Sequence, residues 1–354
     1  MRLTLPMLMA GLALAASAAA QGADQRIALR EMTHGVSPVV PNAAASSEWT
    51  RAYQGRDRGP EQTERFSRKV KIGRDGRVSI ANISGDIVVT SGAGDEVSIE
   101  AVKRTRGSQS ELASVHIDVD ERQGRVDVQT THTARNDHVS VDYTVTVPSS
   151  ASLDLHSISG AVKVTGVRGP VRAETVSGNV TTTDTPKLES ARSVSGNVSL
   201  TGASADGDLS AGTVSGNLTA KGMKAHGLDL GSVSGDISLS DVMCDRLGIK
   251  SVSGSIEYGG SIAKSGRYDI NTHSGTVRLV LANPSGFELN ANSFSGSIRS
   301  DLPLTIGGDS ARRDRDRRRR DTGFNNHSMR ATFGDGSATL IIRTFSGDII
   351  IAKR

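Results

Sequence analysis

The dipeptide Ser-Gly, followed by a short residue and then an aliphatic one, recurs ten times along this chain. The copies are Ser84-Gly85, Ser159-Gly160, Ser177-Gly178, Ser195-Gly196, Ser215-Gly216, Ser234-Gly235, Ser253-Gly254, Ser274-Gly275, Ser295-Gly296 and Ser346-Gly347. From Gly160 to Gly296 the spacings are 18, 18, 20, 19, 19, 21 and 21 residues. A period that short and that persistent belongs to units that must stack, because one unit of about twenty residues cannot bury a face alone.

Aligned on the motif glycine, the copies assign a role to each position. Position −7 holds Leu153, Val171, Glu189, Leu209, Leu228, Leu247, Tyr268 and Leu289, where only Glu189 is not apolar. Position −5 holds Leu155, Ala173, Ala191, Ala211, Leu230, Ile249, Ile270 and Ala291. Alternation of this kind marks a strand with one buried face. Position −3 is a hydroxyl throughout this block, from Ser157 and Thr175 to Thr272 and Ser293. Positions −2, +2 and +4 are apolar on the opposite parity, which places a bend between −3 and −2, beside the glycine. Position +1 carries Asn179, Asn197, Asn217 and Asp236, side chains suited to turn hydrogen bonds. Position +3 (Lys163, Thr181, Ser199, Thr219, Ser238, Glu257, Arg278, Arg299) is the expected outward strip. The predicted fold is an all-β parallel β-solenoid, a β-helix with rungs of about 19 residues, with columns of like residues at about 4.8 Å per rung.

The flanks depart from this rhythm. Residues 1–20 end in Ala18-Ala19-Ala20 after a short apolar run, the pattern of a Sec signal peptide cut after Ala20. No Cys stands near that site, which argues against a lipid anchor, and no later run is long enough to span a bilayer. Residues 21–65 read as a flexible polar leader. The domain proper is expected over 66–354: a first rung and cap at 66–150, regular rungs at 151–306, an Arg-rich insertion at 307–326 and a last rung at 327–354. Within 66–150 the alternating segments 115–119, 125–130 and 139–147, with Gln123-Gly124 as a hairpin loop, predict an antiparallel N-terminal cap.

The motif as it stands in ISGDIVV (83–89), VSGNV (176–180) and FSGDIII (345–351) resembles that of the bacterial putative adhesin family, over roughly residues 70–354. The resemblance implies an envelope-associated β-solenoid, and it names no catalytic residue. Here the chain departs from the family pattern at the Arg-rich insertion and at His273, which replaces an aliphatic residue.

Ten near-identical Ser-Gly copies read as structure, because nucleophilic catalysis needs one Ser with a base and an orienting acid. Asp154, Asp229 and Asp269 share position −6 but fall on non-adjacent rungs, which disfavours a polysaccharide lyase or hydrolase. The pairs His132/His138 and His226/His273 lack ligand spacing, so no metal or cofactor is expected. The single Cys, Cys244, reads as a small buried hydrophobe. Residues 312–321 contain seven Arg and three Asp, a local excess equal to the chain's net charge of +4. The cluster Arg312, Arg313, Arg315, Arg317, Arg318, Arg319 and Arg320 reads as a solvated loop whose alternative role is contact with an anionic envelope surface. Nucleic acid is not expected, since no aromatics interleave with these Arg. The sequence therefore predicts a periplasmic or secreted, non-catalytic scaffold, an adhesin-like module for an envelope glycan or protein. A regulatory protein-interaction module for envelope stress is the alternative, and a carbohydrate-active enzyme the weaker one.

Overall fold

The computed structural model describes residues 60–133, 138–202, 204–282, 284–306 and 327–354. The signal-peptide reading, the leader up to residue 59 and the Arg-rich cluster lie outside the described residues. Among those described, the chain is all-β apart from one five-residue helix, Gln109–Ala113, and its strands join into one continuous sheet.

Two parallel ladders make up most of that sheet. The first contains the strands that lead into each Ser-Gly, such as Ser152–Ser159, Val171–Ser177 and Leu188–Ser195. The second contains the shorter strands that follow, such as Val162–Thr165, Val180–Thr183 and Val198–Thr201. Pairing runs column on column: Ala173 faces Leu155 and Ala191, and Val180 faces Val162 and Val198. Positions −7, −5, +2 and +4 close one hydrophobic core between the ladders. The exception at −7 resolves as a register shift. Leu188 takes the core place opposite Val171, while Glu189 turns outward to Arg172 at 2.8 Å.

The motif glycine sits where two corners come closest. A Cβ on Gly178 would collide with the carbonyl oxygen of Gly160, one on Gly196 with that of Gly178, and one on Gly235 with that of Gly216. Gly235 also has φ +147°, whereas Gly178 and Gly196 are outside the positive-φ set. What the column requires in common is therefore the missing side chain, and backbone freedom only in places. Beside it, the side chain at +1 accepts a hydrogen bond from the backbone N–H of the next corner: Asn179 Oδ1 from Asn197 (2.8 Å), Asn197 Oδ1 from Asn217 (2.8 Å) and Asn217 Oδ1 from Asp236 (3.0 Å).

The order of coils in space is not the order in sequence. The strand Arg77–Ser84 lies between Arg125–His132 and Ser152–Ser159, and Ile87–Gly92 lies between Ser140–Pro148 and Val162–Thr165. At the other end, Ala338–Ser346 is seated between Arg267–Ser274 and Phe287–Ser295. The segment expected as the last rung is thus last in sequence and penultimate in space. The same glycine contacts carry this order, since Gly347 abuts Gly275 and Gly296 abuts Gly347.

Antiparallel strands cover both ends. Val115–Arg122 and Arg125–His132 form the expected hairpin, with Gly124 at φ +72°. Glu96–Thr105 pairs antiparallel with Gln62–Lys71 and with Ser140–Pro148, although the last also runs parallel to Ile87–Gly92. The first strand begins at Gln62, inside the segment read as leader. Its side chains are mostly exposed and charged, so backbone pairing rather than an apolar pattern defines it. His327–Phe333, expected within the last rung, instead runs antiparallel along Phe287–Ser295.

Two outcomes test this packing. Gly235→Ala is expected to destabilise the chain by about 3 kcal/mol through the carbonyl collision and strained φ. Gly231→Ala, whose Cβ would meet only Lys250 O at 3.9 Å, should stay within about 0.5 kcal/mol; chemical denaturation reads both. Asp348 accepts from the Ser297 N–H at 2.7 Å and the Ser297 hydroxyl at 2.9 Å, and these donors hold its carboxyl below the ordinary value of 3.8. A depressed carboxyl stabilises the fold above its unfolded pKa and loses that contribution as pH falls through the folded one. The difference in thermal midpoint between the native chain and Asp348→Ala should therefore be full at pH 7 and vanish below the ordinary carboxyl range.

Candidate functional site: an exposed apolar stripe

Strand alternation continues through the residue before the corner. The −3 hydroxyl faces inward, and on four rungs it donates to the carbonyl oxygen of the neighbouring motif glycine: Thr175 to Gly160 (3.1 Å), Ser193 to Gly178 (2.8 Å), Thr213 to Gly196 (2.9 Å) and Ser293 to Gly347 (3.1 Å). With −3 committed inward beside −5 and −7, position −2 must point out. The bend expected between −3 and −2 lies instead at the Ser-Gly pair itself. The correction has a plain cause: an exposed valine looks like core by residue type, so the sequence pattern turned −2 inward together with +2 and +4.

The consequence is a straight row of apolar side chains in solvent. Ile158, Val176, Val194, Val214, Val233 and Val252 are 43% to 55% exposed. Ile83, half-buried, begins the row, and His273, Phe345 and Phe294 end it in that spatial order. The His273 and Phe345 rings stack at 4.9 Å, and Phe345 and Phe294 at 4.7 Å. Ten members at about 4.8 Å per rung make a stripe about 43 Å long. From Ile83 to Val252 it borders an open groove of about 990 Å³, flanked at −4 by His156, Glu174, Arg192, Gly212, Gly231 and Lys250. Covering the six aliphatic members would supply on the order of 5 kcal/mol. Contiguous exposed apolar surface makes this row the candidate contact face.

The other candidates assemble no second site. The motif serines lie at the corner in one repeated environment, exposed in every copy but the half-buried Ser84. Asp154 pairs with His156 at 2.9 Å and Asp269 with Arg343 at 3.6 Å, so two of the −6 acids are engaged in separate ion pairs. His226 pairs with Asp245 at 3.1 Å. His273 stacks on Phe345 far along the column, and no group of three His, Cys, Asp or Glu able to hold a metal occurs among the described residues. Cys244 is buried at 4% exposure, and that burial, with the charge of Asp245, pushes its thiol up to about 12. It packs as the small hydrophobe expected, opposite Ala225.

Comparison with known proteins adds the following. The Toastrack DUF4097 family model matches residues 76–352. No curated protein matches. Among solved structures, a putative adhesin from Bacteroides fragilis is 12% identical, covers 81% of this chain and 97% of its own, and has a TM-score of 0.37. A putative lipid binding protein from Parabacteroides distasonis is 13% identical over 82% of this chain and 97% of its own, with a TM-score of 0.36. A putative cell adhesion protein from Clostridium sporogenes is 10% identical over 83% of this chain and 100% of its own, with a TM-score of 0.25. Likeness at that level assigns no function. Matched by the family model from the first stacked strand almost to the last residue, and carrying the Ser-Gly corner throughout that span, this chain belongs to the Toastrack DUF4097 family.

Proposed function

We propose that this chain is an exported, non-catalytic β-solenoid, a parallel β-helix with rungs of about 19 residues, that works as an adhesin-like binding module of the cell envelope. The column-on-column parallel pairing supports the solenoid reading. The observation that carries the binding reading is the stripe of half-exposed Ile and Val beside the groove. A soluble scaffold gains nothing from six aligned valine-sized side chains in water, and it risks aggregation by keeping them. A partner that covers them gains the hydrophobic term on every rung.

This shifts the working face from the one expected. The +3 strip faces outward on the second ladder but offers hydroxyls at Thr181, Ser199, Thr219 and Ser238 and charges at Lys163, Glu257, Arg278 and Arg299, which water already satisfies. The stripe sits on the first ladder, at the corner, and offers apolar area in a continuous line. Its partner therefore presents an extended apolar surface.

Co-sedimentation with isolated cell envelopes tests the reading. The double variant Val194→Asp/Val233→Asp should lose retention at least tenfold while circular dichroism stays native, because both side chains are already in solvent. Thr181→Asp/Ser199→Asp should retain binding. Retention unaffected by the first variant, or lost only with the second, overturns the assignment of the stripe as the binding face.

A further inference from the structure

The stripe is interrupted on its flank at one place. Position −4 is glycine on two successive rungs, Gly212 and Gly231, and position −6 of the next rung is Gly248. Together they leave a shallow depression of about 400 Å³ on the outer face of the first ladder. Arg192 bounds it at one end of the −4 column and Lys250 at the other. Three other cations on this face are matched: Arg172 with Glu189, Arg246 with Asp208 and Arg343 with Asp269. Among the described residues, Arg192 has only a 3.4 Å contact to the Ser210 hydroxyl, and Lys250 has no carboxylate within ion-pair distance. Asp229 also lines the depression, at −6, on the side away from the stripe. Its charge keeps an anion on the stripe side, between the two cations.

We infer that the stripe and this depression form one site for an anionic lipid with a linear acyl chain, the acid group drawn into the depression that Arg192 and Lys250 bound, three rungs apart, and the chain laid along the −2 column. This rests on the binding reading above and names its ligand class. Three features favour this occupant. The apolar surface is a line one side chain wide, which matches a single hydrocarbon chain better than a folded surface. The cations without carboxylate partners lie where a headgroup would sit, midway along the stripe. The lengths also agree: a bilayer core of about 30 Å holds two acyl chains end to end, so one spans about 15 Å. From Val214 back to Ile158, or from Val233 on to Phe345, is three rungs, about 14 Å. The groove, at about 990 Å³, is of the size that small-molecule sites reach.

The test uses the full chain, expressed with its own leader and recovered as the cell processes it. Cis-parinaric acid, a fluorescent polyene fatty acid, is titrated in and then displaced by palmitate or by hexadecanol, which has the same chain without the acid. Saturable fluorescence enhancement is expected, with palmitate displacing the probe at least tenfold more effectively than hexadecanol. Arg192→Glu/Lys250→Glu should erase that preference, and Val194→Asp/Val233→Asp should abolish uptake, with native circular dichroism in both. Failure of the native chain to take up the probe, while envelope retention still depends on the valines, overturns the lipid assignment and leaves the binding reading in place. Failure of both measurements overturns both. Equal displacement by palmitate and hexadecanol overturns the role of Arg192 and Lys250 as the acid clamp. A dimer that forms through the stripe and excludes the probe, seen by sedimentation equilibrium, overturns the lipid as occupant in favour of a second copy.

Discussion

The contact of nearly every motif glycine with the carbonyl oxygen of the preceding one in the stack is the constraint on which the structure depends. Because no Cβ intervenes, neighbouring corners approach closely enough for three further interactions to repeat. The ladder strands stay in column register, the −3 hydroxyl reaches the glycine carbonyl, and the +1 Asn or Asp reaches the next N–H. Each is modest alone, about 1 kcal/mol net for a hydrogen bond. They recur at many corners and all enforce one register. A residue with a side chain at the glycine would push the corners apart and cost all of them locally. This is why the glycine tolerates so little variation in its column while the spacing between glycines drifts from 18 to 21 residues.

The ends of the stack show how the same chemistry is closed off. At both ends a coil is intercalated between two others that are closer to each other in sequence, and an antiparallel strand is laid against the outside. Parallel stacking alone would leave a free edge ready to pair with another molecule. The antiparallel strands occupy that edge, and the intercalation ties distant segments to it. The coil at 287–300 has its parallel neighbour in residues 338–353, a long-range closure that carries the entropy cost of the intervening loop.

Much of this was legible in the sequence, and the failures share a cause. Columns −7, −5, +2 and +4, the buried Cys244 and the Gln123-Gly124 hairpin follow from alternation, residue size and turn chemistry, which are local. Glu189 was read as a break because a one-residue slip is invisible until Leu188 is seen opposite Val171. The order of the last coils was not legible, since Gly296 and Gly347 carry the same motif and either fits beside Gly275. Gln62–Lys71 has almost no apolar pattern to read. The candidate site was missed for a physical reason: it consists of apolar residues that should be core by type and are solvent-facing by parity. Strict alternation from −7 through −3 contained the answer, and the apolar type of −2 overrode it.

Structure and proposed function meet in the −2 column, which exists as a continuous line only if every corner stacks in the order described. Cysteine cross-linking along that column, in a Cys244→Ala background, measures it most directly. His273→Cys/Phe345→Cys places two thiols on adjacent rungs, about 4.8 Å apart and exposed to oxidant, within disulfide reach. His273→Cys/Phe294→Cys places them two rungs apart, about 9.6 Å and beyond the roughly 7 Å limit. The account predicts rapid disulfide formation in the first pair and none in the second. A disulfide in the second pair, or thiols in the first that neither oxidise nor react with a soluble reagent, would contradict both the stacking order and the outward stripe.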